Sequence, residues 1–466
     1  MKKNCIICLI LSLVLFICAS PLSVMATEAD ASVTNGCHAV DAAMALSTEE
    51  RMTATANAVI LYELNSQTML YKWNADERIY PTSMVKLMTV LVALENVQLT
   101  DEVTVTRHAL DSVAIGSVSA GLKSGEVLTV KDLIYCIMVA SANDASAVLA
   151  EYVAGNQEQF VQMMNDKAAQ LGCVGTNYTN VHGLHDENTY TTARDLCRIT
   201  EAALQNEDFK TAFTTAKYTL AATNKNESRE IHTTNYMMKD STNKKYPDER
   251  VTGGKTGATN QGGRCLILTA ESGGMELLCI VMGAKATANE DGSLSAFGSF
   301  EESKVLLDYA FDNFEYRQVF FDGQSISQYP VVNGANDVVT KPAQTVSSLL
   351  PKEFDATLLR WSYQLGSGTI TAPVSAGQEL GSVQLWYGDK CLAQTKMVAM
   401  HGVPVKTAPI IPEHPSGISA EGFRNTLLIL AGILIGMVLL GIVIVLVMRY
   451  SRVLKRTLRH KQKRRR

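Results

Sequence analysis

Between Asn425 and Met448 the chain carries no charged residue for 24 positions, and the 18 positions that follow hold ten lysines and arginines and no acid. At 1.5 Å per residue a helix of this run crosses the hydrocarbon of a bilayer with some tilt. A buried core helix would be shorter and would not run into a basic block. Lys and Arg gather on the cytoplasmic side of a span, so the tail 449–466 is expected in the cytoplasm and residues 27 to about 424 outside it. The start agrees. Lys2 and Lys3 precede an apolar run from Cys5 to Ala19 broken by Ser12, and Val24-Met25-Ala26 offers small residues for cleavage, so 1–26 reads as a signal peptide. Bulky Phe16-Ile17 disfavours lipid attachment at Cys18, and the run is short for an uncleaved anchor. Gly432-x-x-x-Gly436 has the spacing of a helix-pairing face, which admits a homodimer through the membrane helix.

These ends distort the averages. Over 466 residues, 42 Lys and Arg against 46 Asp and Glu give a formal charge of −4, too balanced for a nucleic-acid binder. Removing the two initial lysines and the ten basic residues of the tail takes it to −16, so the exported part is acidic. The mean hydropathy of +0.05, slightly high for a soluble enzyme, reflects the same two segments. Seven cysteines follow the signal (Cys37, Cys136, Cys173, Cys197, Cys265, Cys279 and Cys391). Their odd number and irregular spacing make no disulfide framework.

Residues 27–53 are small and polar, a leader. Ala58–Leu64 and Met69–Trp73 flank a turn and predict a hairpin; Pro81-Thr82 breaks the chain before a buried helix over Ser83–Glu95. Thr129-Val130-Lys131-Asp132 reads as a capping box opening a helix to about Ala140, interrupted by Ser141–Asp144 and resumed over Ala145–Val153. Arg264–Ala270 and Met275–Ala284 predict a second hairpin, and Glu301–Phe314 a last helix. Helices between terminal hairpins imply an α+β domain with an antiparallel sheet over 54–314. Beyond it come a small β-rich domain over 316–407, a linker over 408–424, the transmembrane helix 425–448 and the tail 449–466.

Three patterns carry chemistry: Ser83-Met84-Val85-Lys86, Ser141-Ala142-Asn143 and Lys255-Thr256-Gly257. Three residues apart on one helix, Ser83 and Lys86 meet across a turn. At a helix start, Ser83 lies beside free backbone N–H groups and the positive dipole end, where an oxyanion is stabilised. A lysine accepts the serine proton only when neutral. Burial and a second cation push it that way, and Lys255 is a candidate cation. Ser-x-x-Lys alone is weak, since on the order of one or two arise by chance in such a chain. Ser241-Thr242-Asn243-Lys244 is such a match, in a polar stretch with no helix to hold it. Lys-Thr-Gly is rarer and precedes the predicted sheet edge.

With its motifs in this order, the chain resembles the serine-type D-alanyl-D-alanine carboxypeptidases among the low-molecular-mass penicillin-binding proteins. The resemblance rests on Pro81–Thr89, Ser141–Ala145, Gly183–Asp186, Thr192–Leu196, Gly254–Thr259 and Gly263–Leu266, with Ala372-Pro373-Val374, Gly377 and Gly381 beyond. It spans about residues 50 to 405 and the C-terminal anchor. It implies a β-lactamase/transpeptidase-like domain followed by a β-rich domain. Ser83 would be the nucleophile, Lys86 its base and Ser141 a proton relay. Asn143 would orient the peptide, and Lys255 and Thr256 would hold its terminal carboxylate beside Gly257. The N–H groups of Ser83 and Ala258 would form the oxyanion hole. The implied substrate is a peptidoglycan stem peptide ending in D-Ala-D-Ala, with β-lactams as inhibitors and no cofactor or metal. Ala258 is smaller than the residue often found there. Thr234 stands where some relatives carry an arginine, which leaves more of the carboxylate to Lys255.

Rival readings are weaker. His182-Gly183-Leu184-His185-Asp186 looks like a zinc loop but lacks a third ligand. Asp195 suits a first helical turn better than catalysis. A β-lactamase would need a deacylating Glu, and no Glu-x-x-Leu-Asn follows Ser141. An endopeptidase takes substrates lacking the terminal carboxylate, and a cell-wall scaffold would not need all three motifs.

Overall fold

The computed structural model describes Met52 and residues 55–289, 294–407 and 420–463. The expected signal, the leader up to Arg51 and most of the linker lie outside these residues.

β1 (Ala58–Glu63) and β2 (Thr68–Trp73) form the first hairpin. β3 (Glu102–Thr104) pairs with β4 (Val127–Thr129), and β5 (Lys217–Leu220) with β6 (Arg229–His232), as two small ribbons. β7 (Val251–Thr259), β8 (Gly263–Ser272) and β9 (Met275–Ala284) complete a five-stranded antiparallel sheet in the order β2-β1-β9-β8-β7. Alternation along each strand sorts its side chains between two cores. Ile60, Tyr62, Ile267 and Ile280 join the larger one, with most of the helices; Val59, Leu61, Leu266 and Leu268 join the other. Covered on both faces, β8 and β9 read as nearly continuous apolar runs.

The helices are α1 (Val85–Leu94), α2 (Arg107–Asp111), α3 (Val130–Met138), α4 (Asn143–Ala154), α5 (Gln157–Gln170), α6 (Ala193–Leu204), α7 (Glu207–Phe213) and α8 (Gly298–Asn313). α8 contributes Phe300, Leu306 and Leu307 to the smaller core. α1 is buried along Val85–Ala93, as a helix apolar on all sides must be. Each of its fully buried Val, Leu or Met side chains stabilises the fold by roughly 1.5–3 kcal/mol. Its polar members need partners, and Thr89 donates to the Val181 carbonyl at 2.7 Å. The capping box forms: the Asp132 N–H reaches Thr129 Oγ1 at 3.1 Å, and the Thr129 N–H reaches Asp132 Oδ2 at 3.2 Å.

Three local expectations change. Ser83 lies in a 3-10 turn, Thr82–Met84, ahead of α1 rather than within it. Lys255-Thr256-Gly257 lies inside β7, itself the edge strand, instead of before the sheet. The turn of the second hairpin shrinks to Gly273-Gly274, both at positive φ (58° and 81°), where glycine is unstrained.

Past α8 the chain is β-rich. Strand Phe314–Phe320, which runs across the expected junction, pairs with Val346–Pro351; Leu359–Leu365, Glu379–Tyr387 and Lys390–Ala399 form an antiparallel meander. Phe320, Leu350, Val383 and Leu385 make its core. A second compact unit takes in Gln328–Val339, Thr369–Gln378 and the chain from His401 on. In it Val331-Val332 pairs in parallel with Ile370-Thr371, and Val374 bridges Val403. Its helix α9 (Ala420–Lys463) is long and apolar enough over Glu421–Val453 to cross a membrane. The described part of the basic tail, to Lys463, continues this helix, since Lys and Arg are good helix formers and no Gly or Pro follows Met448.

Candidate active site

Pro81 ends the extended approach to α1 and begins a tight turn. Thr82 in that turn has φ +53°, costly for a β-branched residue, and Ser141 has φ +61°. Strain at both positions is held by what packs around them. Two glycines press on the serine turn. A Cβ on Gly183 would lie 1.8 Å from the Thr82 carbonyl oxygen; one on Gly257 would lie 2.1 Å from Thr82 Oγ1 and 2.8 Å from Ser83 N. Loop 181–185 and β7 thus close on the turn from different parts of the chain.

Lys86, on the first turn of α1, is fully buried. Its Nζ lies 3.2 Å from Ser83 Oγ, 2.6 Å from Asn143 Oδ1 and 2.5 Å from the His182 carbonyl oxygen. None of these is a carboxylate. Burial, then the charge of Lys255, holds the Lys86 amine well below the usual lysine range, with Asp144 opposing. Lys255 is also buried; its Nζ donates to Ser141 Oγ at 2.7 Å and to the Thr256 carbonyl at 2.8 Å. Burial pushes it down to about 7. Burial and the Lys255 charge both favour the neutral form of Lys86, which sets an amine of lowered pKa beside the Ser83 hydroxyl.

The structure therefore brings Ser83, Lys86, Ser141, Asn143, Lys255, Thr256 and Gly257 into one cluster. Ser141 occupies the break before α4, and Asn143 opens that helix. Ala258 follows at an exposed position of β7. Thr234 Oγ1 sits 2.5 Å from Thr256 Oγ1, beside the place assigned to the carboxylate.

Two contributors escaped the sequence reading. His182 acts through its backbone carbonyl, which no residue pattern announces. Asp144 accepts from Ser119 Oγ (2.6 Å), Ala120 N (2.9 Å) and Leu122 N (3.1 Å), pinning the loop before β4 to the start of α4. The signal for Asp144 was its place directly after Asn143. The His182 ring accepts from the Leu184 N–H, and burial and Lys86 push it down to about 4. His185 packs edge-on against Tyr80, and no metal-binding group of His, Cys, Asp or Glu forms among the described residues. Asp195 ties α6 to Gly175 N and Thr176 Oγ1, each at 2.8 Å, as a first-turn structural residue.

Residues 44–286 match the peptidase S11 family, described as D-alanyl-D-alanine carboxypeptidase. The chain belongs to this family. Residues 314–405 match the C-terminal domain of penicillin-binding protein 5. D-alanyl-D-alanine carboxypeptidase DacC of Escherichia coli is 30% identical over 76% of this chain and 86% of its own length; DacF of Bacillus subtilis is 29% identical over 74% and 85%. The crystal structure of penicillin binding protein 5 from Haemophilus influenzae superposes with a TM-score of 0.55 at 30% identity, covering 75% of this chain and 98% of that one. The fold of this low-molecular-mass penicillin-binding protein is thus a catalytic domain of the S11 type, a β-rich domain and a C-terminal apolar helix.

Proposed function

We propose that this serine carboxypeptidase removes the terminal D-alanine from peptidoglycan stem pentapeptides through an acyl-enzyme on Ser83. The contact that carries the reading is Ser83 Oγ at 3.2 Å from the buried, carboxylate-free Lys86 Nζ. Neutral Lys86 takes the hydroxyl proton as Oγ attacks the carbonyl of the penultimate D-Ala. The N–H groups of Ser83 and Ala258 receive the oxyanion, and Asn143 orients the peptide. The proton passes through Ser141 to the departing amine, the C–N bond breaks and D-alanine leaves. Water then cleaves the ester and restores Ser83. Lys255 and Thr256 hold the terminal carboxylate, a charge-assisted contact that an exopeptidase needs. A β-lactam opens its ring on the same serine and stays as an ester.

Residues 54–314 form the catalytic domain and 316–407 the β-rich domain in this reading. The apolar helix over 425–448 anchors the enzyme as a single span, with the catalytic part facing the cell wall and tail 449–466 in the cytoplasm. Open space around Gly432 and Gly436 leaves the helix-pairing face uncovered in one chain.

The test is fluorescent-penicillin labelling of the wild type and Ser83→Ala, with mass spectrometry of a pentapeptide digest. Label on the wild type alone, with loss of one alanine, is expected. Undiminished label on the variant would overturn the nucleophile. Rapid turnover of penicillin would instead mark a β-lactamase.

A further inference from the structure

Along β7 the proposed contacts run in order: carboxylate at Lys255 and Thr256, scissile carbonyl at Ala258. At about 3.3 Å per residue, a peptide lying on this edge continues past Thr259 towards the β7–β8 turn. Two open cavities lie there, of about 630 and 470 Å³, which share Asn57, Gln261 and Gly283. Each holds an arginine. Arg264, in the first, sits opposite Ala258 in the β7–β8 register, and its guanidinium stacks 5.0 Å from the Phe297 ring. Arg78, in the second, stacks 4.2 Å from the Tyr190 ring. Its position is fixed by the bridge next door, where Ile79 and Thr191 exchange backbone hydrogen bonds at 2.8 and 2.9 Å. Among the described residues neither guanidinium makes an ion pair or a side-chain hydrogen bond. Glu187 lines the cavity of Arg78 without pairing with it. Both arginines lie in a part of the chain whose formal charge is strongly negative. Aromatic stacking holds a guanidinium flat and leaves its N–H fork free for a planar anion.

We propose that this groove recognises two further carboxylates of the substrate, ahead of the scissile bond, one through Arg264 and one through Arg78. The inference rests on the carboxypeptidase reading, because it takes its direction from the placement of the terminal carboxylate. Two parts of a stem peptide offer that chemistry: a side-chain carboxylate on the residue before the D-Ala pair, and the α-carboxylate of a γ-linked glutamate. Arg264, facing Ala258 across the strand pair, suits the nearer one and Arg78 the farther.

The test uses the purified full-length chain and three peptides ending in D-Ala-D-Ala. One is neutral upstream, one carries the side-chain carboxylate, and one carries the glutamate carboxylate. Each acidic peptide should exceed the neutral one in kcat/KM by about tenfold, chiefly through KM, the scale of one charged hydrogen-bonded contact. Arg264→Gln should erase the advantage of the first acidic peptide and Arg78→Gln that of the second, while every protein still releases D-alanine from the neutral peptide. Equal use of all three peptides by the wild type, or an advantage that survives both substitutions, would overturn the proposal. Failure to cleave even the neutral peptide would instead count against the carboxypeptidase reading.

Discussion

Ser83-Met84-Val85-Lys86 and Ser241-Thr242-Asn243-Lys244 share one spacing and almost nothing else. In the first, a 3-10 turn runs into a buried helix, and the lysine amine ends 3.2 Å from the serine hydroxyl. In the second, the chain bends without a helix. Ser241 turns its hydroxyl to the carbonyls of Tyr236 (3.1 Å) and Asn243 (3.2 Å), and the exposed Lys244 donates to the Ser241 carbonyl at 3.4 Å. Both serines have company, so proximity to a polar partner does not separate them. What separates them is the setting of the amine. Lys86 is buried, and burial and the Lys255 charge hold its amine well below the usual lysine range; Lys244 is exposed to water. Spacing supplies the pair, and burial next to Lys255 supplies the lowered amine pKa that the proposed base needs.

The strongest way to break this comparison is to remove both amines in turn. Lys86→Met should lower the rate of penicillin acylation by more than about 10³-fold, as losses of a catalytic base commonly do. Lys244→Met should leave it within about twofold, since surface substitutions away from a site have small effects. Lys86→Met leaves Asn143 Oδ1 and the His182 carbonyl without their buried donor, so its melting temperature should fall somewhat while the fold persists. Comparable losses of acylation in the two variants would end the distinction.

A second contrast concerns what packs on the serine turn. Gly183→Ala drives a Cβ to 1.8 Å from the Thr82 carbonyl oxygen at φ +83°, whereas Gly274→Ala, at φ +81°, meets nothing within 4 Å. The first should cut acylation by about 10²-fold, the usual result of displacing a reacting group by an ångström. The second pays only the backbone strain of about 1–2 kcal/mol, read as a lower melting temperature with acylation intact. Equal activity in both would show that Gly183 does not shape the turn.

This contrast also marks what sequence could tell. The hairpins, the capping box at Thr129 and Asp132, and the buried character of α1 were legible because periodicity and cap residues are local signals. So was the Ser83–Lys86 pair, once placed on an apolar helix. The strand at Lys255 was misplaced because Gly253, Gly254 and Gly257 weaken a β pattern, although Gly257 is required by its approach to Ser83. The 3-10 turn was missed because its conformation is imposed by Gly183 and Gly257, far along the chain. The His182 carbonyl was invisible because every residue has one.

The electrostatic side of the comparison predicts a pH profile. In the proposed reaction Lys86 acts as a neutral amine, so activity should rise with pH through its lowered value. In the same proposal a charged Lys255 holds the carboxylate, so kcat/KM should fall as pH climbs past about 7, where the free enzyme loses that proton. Lys255→Arg keeps the cation and does not titrate in this range, so the alkaline fall should vanish while the acid limb stays. At pH 8 that amounts to about a tenfold difference in the shape-corrected rate, by the slope of one proton. A fall that persists in the arginine variant would assign it to another group.

The smallest expected effect belongs to Ser241 itself. Ser241→Ala removes a hydroxyl that donates locally and leaves the Tyr236 and Asn243 carbonyls without that donor. The cost should be about 1 kcal/mol, the net worth of such a bond, seen as a small drop in the urea midpoint with an unchanged slope. Penicillin labelling should be indistinguishable from wild type. The pair of results matters more than either alone. A stability loss without an activity loss marks Ser241 as a turn residue whose match to the catalytic spacing is accidental. A labelling loss without a stability loss would place a second reactive serine in the polar loop before β7, and the contrast with Ser83 would then rest on position instead of on burial.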